Sequence, residues 1–131
     1  MVNAWSDITA NQVVEQIPGY AYGIFTASGT IYKGQPVYLV ADKKVKVGGS
    51  AQQVVGVAQE DATDGDEVAV YGIGCIVNTR ISSTSDTAGT AVGALDTNGF
   101  FSSDATNKCA IVVKAASTNR GEGQVLLTGT I

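Results

Sequence analysis

After its first thirty positions this chain alternates apolar and polar residues with a period of two. In "QPVYLVA" the residues Val37, Leu39 and Ala41 share one face, and in "KVKVGG" Lys44 and Lys46 alternate with Val45 and Val47. That period marks strands with one buried face. The intervening "ADKK" therefore predicts a hairpin, whose lysines also guard an exposed edge against stray pairing. "QQVVGVAQ" and "DEVAVYGIGCIV" predict two further strands joined by an acidic turn, and the polar run "SSTSDTAGT" predicts a loop.

Beyond that loop the organisation recurs. "KGQPVYLVADKKVKV" is echoed by "AGTAVGALDTNGFFS", and "VGVAQEDATDGDEVAVYGIG" by "IVVKAASTNRGEGQVLLTGT". Gly34 matches Gly89 at an offset of 55, Val57 and Gly65 match Val113 and Gly121 at 56, and Val68, Val70 and Gly72 match Val125, Leu127 and Gly129 at 57. Such drift is what single insertions in turns produce. Two copies are too few for a solenoid. The predicted fold is all-β: a small β-barrel or sandwich built from two similar strand units, about 31–77 and 86–131, with an extended N-terminal arm. Each unit alone leaves a sheet edge and an apolar face open, so two four-strand units are expected to face each other and close together as one domain over 31–131.

Residues 1–30 read differently. Trp5, Tyr20, Tyr22 and Phe25 gather aromatic side chains around "IPGYAYG", a turn followed by extended chain. "SDITANQVVEQI" offers Ser6 or Asp7 as a helix cap, but its apolar spacing is irregular, so the arm is expected to hold a short helix or a strand. A lone tryptophan in a polar leader is unfavourable unless it docks. Trp5 either packs on its own barrel or anchors in a partner or neighbouring subunit.

Composition narrows the function classes. The 131 residues suit one domain, and 16 glycines against two prolines favour short strands and tight turns. A net charge of −4 opposes general binding to a phosphate backbone. The start "MVNAWSDITANQVVEQ" lacks the basic and apolar regions of a signal peptide, and no apolar run approaches a membrane span. The expectation is a soluble chain of intracellular origin. Cys75 and Cys109 are expected as two buried thiols, with a disulfide the lesser alternative.

Candidate chemistry is sparse. Glu60, Asp61, Asp64, Asp66 and Glu67 crowd one turn, but their spacing does not supply the calcium-loop pattern, and the second copy "ASTNRGEGQ" keeps only Glu122 of these acids. The turn is therefore expected to be a solvated bend. The chain has no histidine, the usual general base and a common zinc ligand, and neither cysteine is expected to be activated: Cys75 has no charged neighbour and Cys109 only Lys108. The phosphate-cradling pattern G-x-x-x-x-G-K-[ST] is absent, and "YGIGCI" does not complete G-x-G-x-x-G. No enzyme activity, metal or cofactor is expected. Lys33, Lys43, Lys44 and Lys46 form the only basic concentration, read as a solvated hairpin, or alternatively as a patch for phosphate or an acidic partner.

The pattern "KGQPVYLV…VVGVAQEDATDGDEVAVYGIGCI" followed by "AGTAVGALDTNGFF…AIVVKAASTNRGEGQVLLTGTI" resembles the small capsid decoration, or cement, proteins of tailed bacteriophages that carry a duplicated β-barrel. The residues carrying the resemblance are Gly34, Val37, Val55, Gly56, Val57, Ala58, Ala62, Gly65, Val68, Val70 and Gly72, then Gly89, Val92, Val113, Gly121, Val125, Leu127 and Gly129. It spans roughly 32–131 and departs in the second copy, where Ile111 and Val112 stand in place of a glycine. The resemblance implies a structural virion protein, made in the host cytoplasm, that binds the outer capsid surface and stabilises the head. Its partner would be the major capsid protein, and it would sit as a homotrimer at three-fold or quasi-three-fold positions, with neither nucleic acid nor membrane as a partner. Trp5, Ile8, Tyr20 and Tyr22 are the expected capsid or subunit contacts, because an arm that adds a strand gains backbone hydrogen bonds while burying aromatics. The alternative is a carbohydrate- or cell-surface-binding β module, with tyrosines stacking on sugars.

Overall fold

The computed structural model describes residues 13–16, 23–49, 53–95 and 98–129. Among these there is no helix, only eleven strands: β1 (Val13–Gln16), β2 (Gly23–Ala27), β3 (Pro36–Ala41), β4 (Lys44–Val47), β5 (Val54–Ala58), β6 (Glu67–Tyr71), β7 (Cys75–Ile81), β8 (Ala91–Ala94), β9 (Phe101–Ser102), β10 (Ala110–Lys114) and β11 (Gly121–Leu127). The all-β expectation holds, and so does the division into two similar units.

The mode of closure differs from the expected one. Each unit has five strands and closes on itself. The first ring runs β2-β4-β3-β5-β6 and back to β2; the second runs β7-β11-β10-β8-β9, with β9 returning to β7. In each ring four contacts are antiparallel, and the closing one is parallel: β2 with β4 through Thr26↔Lys44 and Ala27↔Val45, and β7 with β9 through Ile81↔Phe101. The fifth strand of the first ring is "GIFTA", from the region expected to be arm. The apolar run expected as one strand breaks at Gly72–Gly74, where Gly74 takes φ 96°, and its second part opens the second ring. β1 pairs with Cys75–Val77 of β7 on the outside of the second ring; the "VVEQ" of the expected helix-or-strand is thus strand.

Superposing the pairings aligns the rings with a nearly constant offset. Ala27 and Ile81 pair with Val45 and Phe101; Pro36 and Ala91 pair with Val57 and Ile111; Ala58 and Val112 pair with Val70 and Val125. The counterpart of Val57 is therefore Ile111, not Val113, which is 41 % exposed while Val57 is buried. Val70 likewise corresponds to Val125, and Gly65 to Arg120. Sliding a strand by two residues leaves every side chain on its own face, so alternation alone did not fix the register.

The two cores solve one packing problem with different residues. The first encloses Ala27, Val45 and Val68; the corresponding positions in the second hold Ile81, Phe101 and Gly123. Two side chains grow and one disappears, which offsets much of the added volume. A Cβ added at Gly123 would lie 2.5 Å from Ile81 Cδ1, so the glycine makes room that the isoleucine fills.

The rings are stacked by a polar and apolar clasp. Val54 and Val57 of β5 join the second ring's core cluster, and Phe100 packs against Tyr32. The hydroxyl of Thr79, fully buried, donates to the Gly34 carbonyl at 2.8 Å, and Gln35 Nε2 donates to the Asn98 carbonyl at 3.0 Å. Thr79→Val keeps the shape but strands a buried carbonyl. It is expected to lower stability by about 1–2 kcal/mol in urea unfolding; an unchanged midpoint would mean that this bond does not clamp the rings.

Candidate functional site

The acidic turn between β5 and β6 is a backbone staple rather than a merely solvated bend. Asp64 Oδ1 accepts the Gly29 N–H at 2.8 Å and Asp61 Oδ1 the Lys33 N–H at 2.8 Å, both in the β2–β3 connection. Glu60 Oε2 accepts the Ala69 N–H at 3.0 Å, and Asp66 Oδ2 accepts the Thr63 hydroxyl at 2.6 Å and its N–H at 3.1 Å. The second ring keeps the leading bond without the charge: Asn119 Oδ1 accepts the Thr84 N–H at 3.0 Å. A carboxylate and an amide present the same acceptor oxygen, which explains how the acids disappear from the second copy while the turn survives. Among the described residues no three His, Cys, Asp or Glu side chains are grouped to hold a metal ion.

Hydrogen bonds from the Thr63 hydroxyl and backbone hold the Asp66 carboxyl below the ordinary aspartate range. A depressed folded-state value means that its contribution is present above the unfolded value and is lost as pH falls through the folded one, below about pH 4. Asp66→Asn is expected to lose this contribution at neutral pH and so to flatten the acid limb of the stability profile, the variant and wild-type profiles converging at low pH. An identical acid limb in an acid titration followed by circular dichroism would contradict this.

The cysteines are structural. Both are buried and neither is in a disulfide, and burial raises the thiol of Cys75 and pushes that of Cys109 up to about 11. A thiol that stays protonated at neutral pH is a poor nucleophile and a poor metal ligand.

Trp5, Ile8, Tyr20 and Tyr22, the expected contact residues, lie outside the described residues. The lysines are distributed over the first ring: Lys43, Lys44 and Lys46 are exposed on the β3–β4 hairpin, and Lys43 Nζ stands 5.2 Å above the Phe25 ring. Lys33 lies in the β2–β3 connection, where its N–H is held by Asp61.

Two surfaces escaped the sequence reading. The first is the end of the first ring where β2 enters and the β3–β4 hairpin turns. Here Ile24 is 50 %, Leu39 48 % and Val40 43 % exposed. β3 outruns its partner β5 after Tyr38 and bulges at Val40, so Leu39 and Ala41 leave the buried face that Val37 occupies. The second is a groove of about 330 Å³ on the outside of the second ring, lined by Asn78, Lys114, Ser117, Glu122 and Gln124. There Gln124 Nε2 donates to Asn78 Oδ1 at 3.3 Å, a cross-strand amide pair at positions that hold Ile24 and Ala69 in the first ring. Polar residues on the outward phase of two adjacent strands were the available signal. No helix among the described residues is long and apolar enough to cross a membrane. Neither a scan against protein-family models nor a search of curated proteins finds a match to this chain.

Proposed function

We propose that this chain is a structural virion protein: it binds the outer surface of a tailed-bacteriophage capsid and stabilises the head, acting as a binding body rather than a catalyst. The observation that supports the reading best is the stack of two like rings, clasped by hydrogen bonds, with four carboxylates of the acidic turn committed to its own backbone. A stiff, adhesive body is what a cement protein needs, and many copies on one lattice reinforce one another because release requires breaking many contacts together. In this reading the chain is made in the host cytoplasm and sits on the major capsid protein as a trimer at three-fold or quasi-three-fold positions. The arm carrying Trp5, Ile8, Tyr20 and Tyr22 makes the contact.

The test compares the full chain with one truncated before Gly23 on capsid shells, scoring occupancy and heat resistance. The truncation spares all ten strands that form the rings, since β1 lies outside them. Full-length chain is expected to saturate the shells and raise their melting temperature, and truncated chain to do neither. Full occupancy by the truncated chain would remove the arm from the account, and no binding by either would remove the capsid.

A second reading, a carbohydrate- or cell-surface-binding module, is favoured by the groove at Asn78 and Gln124, whose amide, carboxylate, ammonium and hydroxyl groups suit a polyhydroxylated ligand. Specific binding on a glycan array, lost in Asn78→Ala, would favour it over the capsid.

A further inference from the structure

We infer that copies of this chain associate end to end, through a contact that repeats between molecules the one that joins the two rings within each molecule. Inside the chain the contact has two halves. The acceptor is the end of the second ring formed by Thr79 and the β8–β9 hairpin with Leu95, Asn98, Gly99 and Phe100. The donor is the connection before β3 in the first ring, with Tyr32, Gly34, Gln35 and Pro36. Thr79 and Gln35 exchange hydrogen bonds with the opposite backbone, Phe100 packs on Tyr32, and a Cβ at Gly99 would lie 2.9 Å from Val47 Cγ1.

Because the rings share one pairing scheme, each half is present twice. The acceptor end recurs in the first ring, where Phe25, Val40, Lys43 and Lys44 stand for Thr79, Leu95, Gly99 and Phe100. The donor connection recurs in the second ring, where Thr87, Gly89, Thr90 and Ala91 stand for Tyr32, Gly34, Gln35 and Pro36. The backbone shape is retained at both. Gly34 and Gly89 take φ of 90° and 93°, and each donates its N–H to the last buried residue of the neighbouring strand at 2.8 Å, Ala58 and Val112 respectively. Lys43 and Gly99 take φ of 56° and 75°.

What differs is exposure. The donor used within the chain, Gly34–Pro36, is buried, while its counterpart Gly89–Ala91 is exposed at Gly89 and half-buried at Thr90 and Ala91, with exposed Thr87 and Ala88 just before it. The acceptor used within the chain is covered by Tyr32 and Gly34, while its counterpart presents Val40, Lys43 and Lys44 to solvent, with exposed Leu39 beside them. Among the described residues one acceptor and one donor thus remain unfilled at opposite ends of the stack, and a second copy supplies the complement of both. Charge agrees: exposed Lys43 and Lys44 border the acceptor, and exposed Asp104 lies beside the donor, one residue after Ser103, which is bonded to Asp86. A contact of this kind is heterologous, so it closes into a ring of copies or runs on, according to the rotation per step.

Sedimentation velocity of the full chain over a wide concentration range, with two variants at exposed positions, tests this. Val40→Glu blocks the acceptor and Ala88→Arg blocks the donor. Wild-type chain is expected to associate with rising concentration, and each variant to associate at least about tenfold more weakly. An equimolar mixture of the two variants retains one working donor and one working acceptor, so it should form a heterodimer and nothing larger. Wild-type chain that stays monomeric, variants that associate like wild type, or a mixture without heterodimer would each overturn the inference; the last result would point to a two-fold contact instead.

Discussion

Gly93→Ala is expected to destabilise the protein by about 3–5 kcal/mol, and Gly56→Ala by a comparable amount, a large share of the stability of a typical domain. Gly93 is buried on β8, and a Cβ there would overlap the Asn107 carbonyl oxygen and come within 3.0 Å of Ala105 Cβ. Gly56 is buried on β5, and a Cβ there would overlap the Tyr71 carbonyl oxygen and lie 2.5 Å from Val70 Cγ1. In both cases the obstacle includes backbone, which cannot swing aside as a side-chain tip can. Relief requires moving the end of β6 within a closed ring at Gly56, and the connection that leads into β10 at Gly93. Urea unfolding measures the effect. A midpoint within experimental error of wild type for either variant would mean that the ring interior is looser than described.

Phe101→Ala is expected to cost about 3–5 kcal/mol, the range for truncating a fully buried aromatic side chain. Phe101 is the largest side chain among those wholly removed from solvent, and it sits where the second ring closes on Ile81. Its loss leaves a cavity in the second core beside Ile81. The corresponding residue of the first ring is Val45, a smaller group packed on Val68, so Val45→Ala is expected to cost less, about 1–3 kcal/mol. Equal losses at the two positions, measured by guanidinium unfolding, would contradict the exchange of volume between the two cores.

The comparison of sequence with structure has a physical pattern. Faces were legible: Val45 is buried and Val47 half-buried, while Lys44 and Lys46 are exposed, as their alternation requires. The turn glycine Gly34 was matched correctly to Gly89, because a left-handed backbone there demands glycine in both copies. Register was not legible, since a two-residue slide of Val57 onto Val113 preserves the alternation. Closure was not legible either. It depends on β2 reaching β4 in parallel across the β2–β3 connection, a pairing with no local signature. The acidic turn shows the same limit. Five carboxylates in sequence suggested a metal or a bend, but the N–H groups of Gly29 and Lys33 that two of them hold come from about thirty residues earlier in the chain. Exposed Ile24, Leu39 and Val40 were hidden because their surroundings follow from where neighbouring strands end.

The account rests on one five-stranded ring having been made twice, each copy closed on itself. Cross-strand nuclear Overhauser contacts at the two parallel junctions test it most directly. Contacts of Thr26 with Lys44 and Ala27 with Val45, together with Ile81 with Phe101, are the predicted result. Strands of the first unit pairing instead with β8, β9 or β10, as in a single shared barrel, would contradict it.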